Sequence, residues 1–290
     1  MNMSFGIALA GGGIRGAAHI GVLAALEENG LTPSSIAGTS AGGIIAGLYA
    51  SGVTPGRMKE IVLETSKSGA ALADPDIGGI FSIVPGLMKH RVFRCSGLLK
   101  GDRMESYLDG VTDGRSMRSL PIRTVIPAVD LRTSLTVAFT NSLFGLRPVQ
   151  NVKWFTQARV SEVMRATSAL PVIFQPKEIE GMCLVDGGIS DVLPVDLLIA
   201  AGEPNVLAVD VSADYKVPKH IDLINVASHS LGITGVRLRE CMTHGERYLL
   251  SPALPDTEGV LNLPQMEECM EAGYTFAKRA MPTLRRIFTA

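Results

Sequence analysis

The sequence predicts an α/β fold built on a mostly parallel central sheet. Two short apolar runs, Phe5–Ala10 and Ser34–Ala37, read as strands, and each leads through a glycine-rich turn into a helix of small and apolar residues. Strand, turn and helix repeated twice in the first fifty residues is the signature of a parallel α/β sheet. The chain has 290 residues, of which 46% are hydrophobic and only 19% charged, enough to bury a large core.

The elements follow in order. Phe5–Ala10 runs into Gly11–Gly16 and then a helix from Ala17 that stops near Asn29-Gly30. Ser34–Ala37 leads into Gly38-Thr39-Ser40-Ala41-Gly42 and a helix through Ala50. Thr54 caps the next helix and Pro55 takes its first turn. Residues 69–100 mix apolar Ile80, Phe81, Ile83, Val84, Leu87 and Met88 with basic Lys89, Arg91 and Arg94, broken by Pro and Gly. This segment reads either as a lid that handles acyl chains or as an insertion packed on the core. Asp102-Arg103-Met104-Glu105 reads as a capped helix start.

Ile122–Asp130 and Ser134–Thr140 form a predicted hairpin, and Ser161–Ala169 a helix stopped before Pro171. Cys183–Val185 is a short strand delivering Asp186 to its carboxyl end, where α/β enzymes collect their chemistry. Val206–Val211 is a further strand. Helical patterns at Leu223–Thr243 and Gln265–Phe288 flank a β-like Tyr248–Leu250.

Two turns carry chemistry. Gly38-Thr39-Ser40-Ala41-Gly42 has the G-x-S-x-G spacing of a nucleophile elbow between strand and helix. The same residues also suit a plain turn linking two elements. Gly11-Gly12-Gly13-Ile14-Arg15-Gly16 exposes backbone N–H groups that could receive the oxyanion of acyl transfer. A phosphate-cradling loop is the rival. It lacks the Lys-Ser/Thr of a P-loop, and no Asp or Glu stands where a dinucleotide fold needs one.

With these turns, Asp186-Gly187-Gly188 and Arg165-Ala166-Thr167-Ser168-Ala169-Leu170-Pro171, the chain resembles the compact bacterial members of the patatin-like phospholipase family. The resemblance spans residues 5–210. It implies a three-layer α/β/α fold over 1–290 as one domain. It implies a Ser40–Asp186 dyad with Asp186 as direct base, and an oxyanion hole at Gly11, Gly12 and Gly13. Arg15, Gly16, Gly38, Gly42 and Gly187 support these motifs. Two departures stand out: Ala10 precedes the glycine loop where plant members usually carry Asp, and Asp191-Val192 stand where the family often has Asn.

Other assignments compete. His220, His229 or His244 follow Asp186 in the order of a Ser-His-Asp triad, whereas His19 reads as core and His90 lies within 69–100. Asp-Gly-Gly is also a strong turn former. Arg15 either meets a lipid anion or braces its loop by pairing with Asp191 or Asp210.

Three function classes result: a serine hydrolase of lipid or small carboxylic esters, a non-catalytic adaptor on the same fold, and a nucleotide-binding protein. Lys and Arg number 27 against 28 Asp and Glu, which argues against nucleic acid as partner. The four cysteines are scattered without metal spacing and read as reduced thiols. No cofactor is implied, and neither a zinc nor a calcium pattern occurs. The start lacks the charge of a secretory signal and no apolar run reaches spanning length. The expectation is a cytoplasmic enzyme, with peripheral contact at the inner membrane face left open. The sequence does not determine an oligomeric state.

Overall fold

In a computed structural model, the described residues are 4–68, 74–76, 96–212, 223–241, 245–255 and 265–289. The segment 69–100, apart from residues 74–76 and 96–100, lies outside them, as do His90, His220 and His244.

The chain runs β1 (Gly6–Leu9), α1 (Ala18–Glu28), β2 (Ser35–Gly38), α2 (Ala41–Ala50), α3 (Pro55–Ser68), β3 (Gly97–Leu99), α4 (Asp102–Val111), β4 (Arg123–Asp130) and β5 (Thr136–Thr140). It continues with β6 (Val152–Phe155), α5 (Val160–Thr167), β7 (Val172–Phe174), β8 (Lys177–Ile179), β9 (Met182–Asp186), α6 (Val195–Ala200), β10 (Val206–Val209), α7 (Leu223–Cys241), β11 (Tyr248–Leu250) and α8 (Gln265–Phe288).

The main sheet has the order β11-β10-β1-β2-β4-β5-β6, with β9 also on β4 and β8 on β9. Pairings from β11 to β4 and between β5 and β6 are parallel; β4–β5, β4–β9 and β8–β9 are antiparallel. The apolar runs form strands because both sheet faces are covered: β1, β2 and β10 are buried along their whole length. α1 and α2 follow β1 and β2 and pack on each other, and α6, which returns the chain to β10, packs on β1, β2, β4 and β10. Leu9, Leu23, Leu26, Ile36, Ile126 and Phe139 lie fully buried between the layers.

One feature of β4 positions the site. Its first part pairs with β2, Ala37 opposite Val125, and its last part with β9, Asp186 opposite Ala128. Both partners lie on the same edge, because β5 occupies the other. β2 and β9 therefore run toward each other along β4. Their ends stop short of one another beside Ile126 and Pro127.

Most sequence-predicted elements stand within two residues of expectation; β3, β6, β7, β8 and the short helix α6 have no counterpart in the sequence reading. The cap at Asp102 needs correction. Gly101, with φ 80°, occupies the cap position, and no side chain of its own helix caps α4. The carboxylate of Asp74 takes that role by accepting from the N–H groups of Gly101 (2.7 Å) and Arg103 (3.0 Å).

Candidate active site

Ser40 sits between β2 and α2 with φ 53° and ψ −121°, a left-handed conformation that costs a residue with a side chain about 1–3 kcal/mol. This is the elbow geometry that lifts a hydroxyl off the sheet. Its glycines are required by close approach. A Cβ on Gly38 would meet the Gly42 carbonyl oxygen at 2.1 Å, and one on Gly42 would meet that of Leu9 at 2.4 Å. The Ser40 hydroxyl donates to Asp186 Oδ2 at 2.7 Å.

Asp186 arrives from the other direction at the end of β9. Its N–H donates to Ala169 O at 3.1 Å, and its Oδ1 accepts from Gly188 N–H at 2.8 Å. Gly187 leaves no room for a side chain: a Cβ there would stand 2.4 Å from Pro127 O. The carboxyl is 4% exposed, and burial pushes its pKa up to about 6 against the pull of the Ser40 and Gly188 hydrogen bonds. A carboxylate poised near neutrality and bonded to a serine hydroxyl can accept that proton.

The glycine loop abuts the serine, since a Cβ on Gly11 would lie 3.4 Å from Ser40 Cβ. Gly11 requires a correction as an oxyanion donor. Its N–H is spent on Val192 O at 2.9 Å, which straps the loop to the stretch after Asp186. Gly13, at φ 55°, turns the chain into a short 3-10 turn, Gly13–Ala17, ahead of α1. The N–H groups of Gly12 and Gly13 make no hydrogen bond to another described residue. Gly16 packs against the start of α2, where an added Cβ would meet Ala41 Cβ at 2.5 Å.

Among the described residues Arg15 braces the loop through backbone carbonyls and not through an acid. Its guanidinium donates to the carbonyls of Val211 (3.0 Å) and Ser212 (3.4 Å). Asp210 pairs with Arg239 instead, and one oxygen of buried Asp191 has no hydrogen-bond partner among the described residues.

No histidine reaches the dyad among the described residues. His19 is fully buried, its Nε2 lies 2.8 Å from Ala10 O, and burial lowers its pKa to about 4. A neutral ring there ties down the end of β1. His229 lies on α7.

Thr167 was not singled out in the sequence. Its hydroxyl accepts from the Ser40 N–H at 3.0 Å and donates to Pro127 O at 2.6 Å. Two residues earlier, buried Arg165 donates to the carbonyls of Lys100 and Gln175 and lies over the Phe174 ring. The signal available was the Ala166-Thr167-Ser168-Ala169 block itself, which carries no contact information on its own. No group of three or more His, Cys, Asp or Glu suited to a metal occurs among the described residues.

A strained serine bonded to a buried aspartate thus stands beside a glycine loop on a mostly parallel α/β sheet. The family model for patatin-like phospholipases matches residues 7–199, and the chain belongs to that family.

An uncharacterized NTE family protein of Mycobacterium tuberculosis is 27% identical over 216 residues, covering 73% of this chain and 50% of that protein. Human patatin-like phospholipase domain-containing protein 6 is 27% identical over 207 residues, 71% of this chain but 13% of its own length. Lysophospholipase NTE1 of Mycosarcoma maydis is 29% identical over 222 residues, 73% of this chain and 10% of that protein. The chain thus spans half or less of the length of these relatives. The described residues contain no helix long and apolar enough to cross a membrane.

Proposed function

We propose that the protein hydrolyses carboxylic esters of lipids through a Ser40–Asp186 dyad. The observation that carries this is the 2.7 Å bond from the Ser40 hydroxyl to Asp186 Oδ2, made by a serine in strained elbow geometry. Asp186 takes the hydroxyl proton as Ser40 Oγ attacks the ester carbonyl. The oxyanion is received by N–H groups of Gly12 and Gly13, with the α2 N-terminus adding positive potential. Collapse expels the alcohol, which takes the proton from Asp186. Water, deprotonated by Asp186, then releases the fatty acid and restores Ser40.

Residues 1–290 are read as one patatin-like domain. β10 pairs with β1, and α8 packs on α1, so the part beyond the family match completes the same sheet and layer. The lysophospholipase among the relatives makes single-chain phospholipids the first substrates to try.

A fluorophosphonate probe tests the reading. Labelling of Ser40, lost in Ser40→Ala and accompanied by release of fatty acid from lysophospholipid, is the expected result. An unlabelled, folded wild-type protein would leave an adaptor role on the same fold.

A further inference from the structure

We infer that Thr167 is a positioning residue for the nucleophile, its hydroxyl clamping the Ser40 N–H and so holding the elbow in its strained conformation. The inference rests on the reading of Ser40 as nucleophile. A residue held at φ 53° stays there only when its surroundings over-determine it. The peptides around Ser40 are held on three sides. Thr39 N–H donates to Leu9 O at 3.1 Å, and Ser40 O accepts from Ile44 N–H at 3.0 Å. The third hold is the Ser40 N–H itself, and its acceptor is Thr167 Oγ1 at 3.0 Å.

The orientation of that hydroxyl is determined. It has one proton, and the proton is directed to Pro127 O at 2.6 Å. A lone pair is thereby turned to Ser40. Thr167 is fully buried, so water does not compete. Its methyl is packed as well, since a Cβ on Gly43 would come within 2.7 Å of it.

Pro127 explains why the anchor is available. It lies where β2 has ended and β9 has not begun, and its carbonyl faces that gap. In an extended strand the N–H and C=O of one residue point the same way. Any residue but proline at 127 would aim an N–H into the gap beside the dyad. Proline has none, so the gap offers an acceptor and no donor. The same stretch also holds the acid, through Ala169 O and the Asp186 N–H. Residues 167–169 thus set both members of the dyad. The clamp also removes the Ser40 N–H from the groups that could receive an oxyanion, leaving that task to Gly12, Gly13 and the first turn of α2.

Thr167→Val keeps the side-chain shape and removes the hydroxyl. We expect kcat on a soluble ester to fall on the order of tenfold to a hundredfold, with KM within about threefold. The rate of fluorophosphonate labelling of Ser40 falls with kcat. Thr167→Ser keeps the hydroxyl and stays within about threefold of wild type. Hydrogen exchange at the Ser40 amide, read by NMR, quickens in Thr167→Val and not in Thr167→Ser. Should Thr167→Val not fold, Thr167→Ala makes the same comparison. A wild-type protein with neither turnover nor labelling would sink the hydrolase reading, while the exchange experiment would still decide the clamp. Unchanged Ser40 exchange in Thr167→Val would overturn the inference. So would wild-type kcat in that variant, or a Thr167→Ser protein as slow as Thr167→Val.

Discussion

On the β2 side of the site the chain controls a hydroxyl by backbone geometry; on the β9 side it controls a carboxyl by solvation. Ser40 is part-exposed, and its strain is held by hydrogen bonds to its backbone neighbours. Asp186 is buried with an ordinary backbone, and its altered property is a proton affinity raised by the loss of water. The β9 side contains its own control. Asp191, five residues on, is as buried as Asp186, at 5% against 4% exposed. Its pKa is pushed up to about 7, first by burial and then by the charge of Asp196. Yet among the described residues Asp191 reaches no nucleophile: the Leu193 backbone holds it, and one of its oxygens has no hydrogen-bond partner there. Burial therefore raises both carboxyls, and only Asp186 bonds the Ser40 hydroxyl, which is why the base is proposed there and not at Asp191.

The sharpest break of this comparison is to disable each side in turn. Ser40→Ala and Asp186→Asn are each expected to lower kcat by at least about a thousandfold while the protein stays folded. Because the two act as a unit, the double variant should be little worse than either single one. In the wild type, kcat/KM should fall as pH drops below about 6, because the base must be ionised to act. Strictly additive losses in the double variant would separate the two residues and end the dyad.

The β9 side is sharpened by Asp191→Asn. A carboxyl whose folded pKa is raised disfavours the folded state when ionised. That cost is complete above about pH 7 and disappears below the unfolded value near 3.8. Asp191→Asn should therefore stabilise the protein at pH 8 by roughly 1–4 kcal/mol and leave it unchanged at pH 3.5. Turnover should remain within about tenfold. Urea unfolding at the two pH values reads the first effect. A variant as inactive as Asp186→Asn would bring Asp191 into the chemistry and erase the contrast between the two carboxyls.

The two sides also differed in how far the sequence revealed them. The β2 side is local: strand, glycine loop, elbow and helix lie within residues 5–50, and their spacing alone encodes the geometry. The β9 side is built across the chain. Asp186 became visible through the D-G-G segment and the family resemblance, because a strand-end aspartate in a glycine turn is locally indistinguishable from a turn former. Thr167, Pro127 and the Val192 carbonyl that captures Gly11 could not be read from spacing, since their partners are 40 to 181 residues away in the chain, as the numbers of Pro127–Thr167, Ser40–Thr167 and Gly11–Val192 show. A proline inside a central strand is ordinarily disfavoured, because it removes a ladder donor. Only the gap between β2 and β9 makes it acceptable in β4.

The smallest expected effect concerns His19, the one described histidine close to the glycine loop. Its ring is neutral, fully buried and hydrogen-bonded to Ala10 O, so it has no free proton traffic with Ser40. Its influence on the site runs through the end of β1, which positions Gly11 and hence the loop. His19→Gln offers a side-chain N–H to the same carbonyl and removes the imidazole. We expect kcat to stay within about tenfold, roughly 1.4 kcal/mol of barrier, with the larger change appearing in the melting temperature. The measurement is kcat on a soluble ester beside thermal unfolding of the same sample. A folded His19→Gln protein as inactive as Ser40→Ala would put a histidine back into the proton transfer. The β2 side would then carry both nucleophile and base, and the division of labour with β9 would collapse.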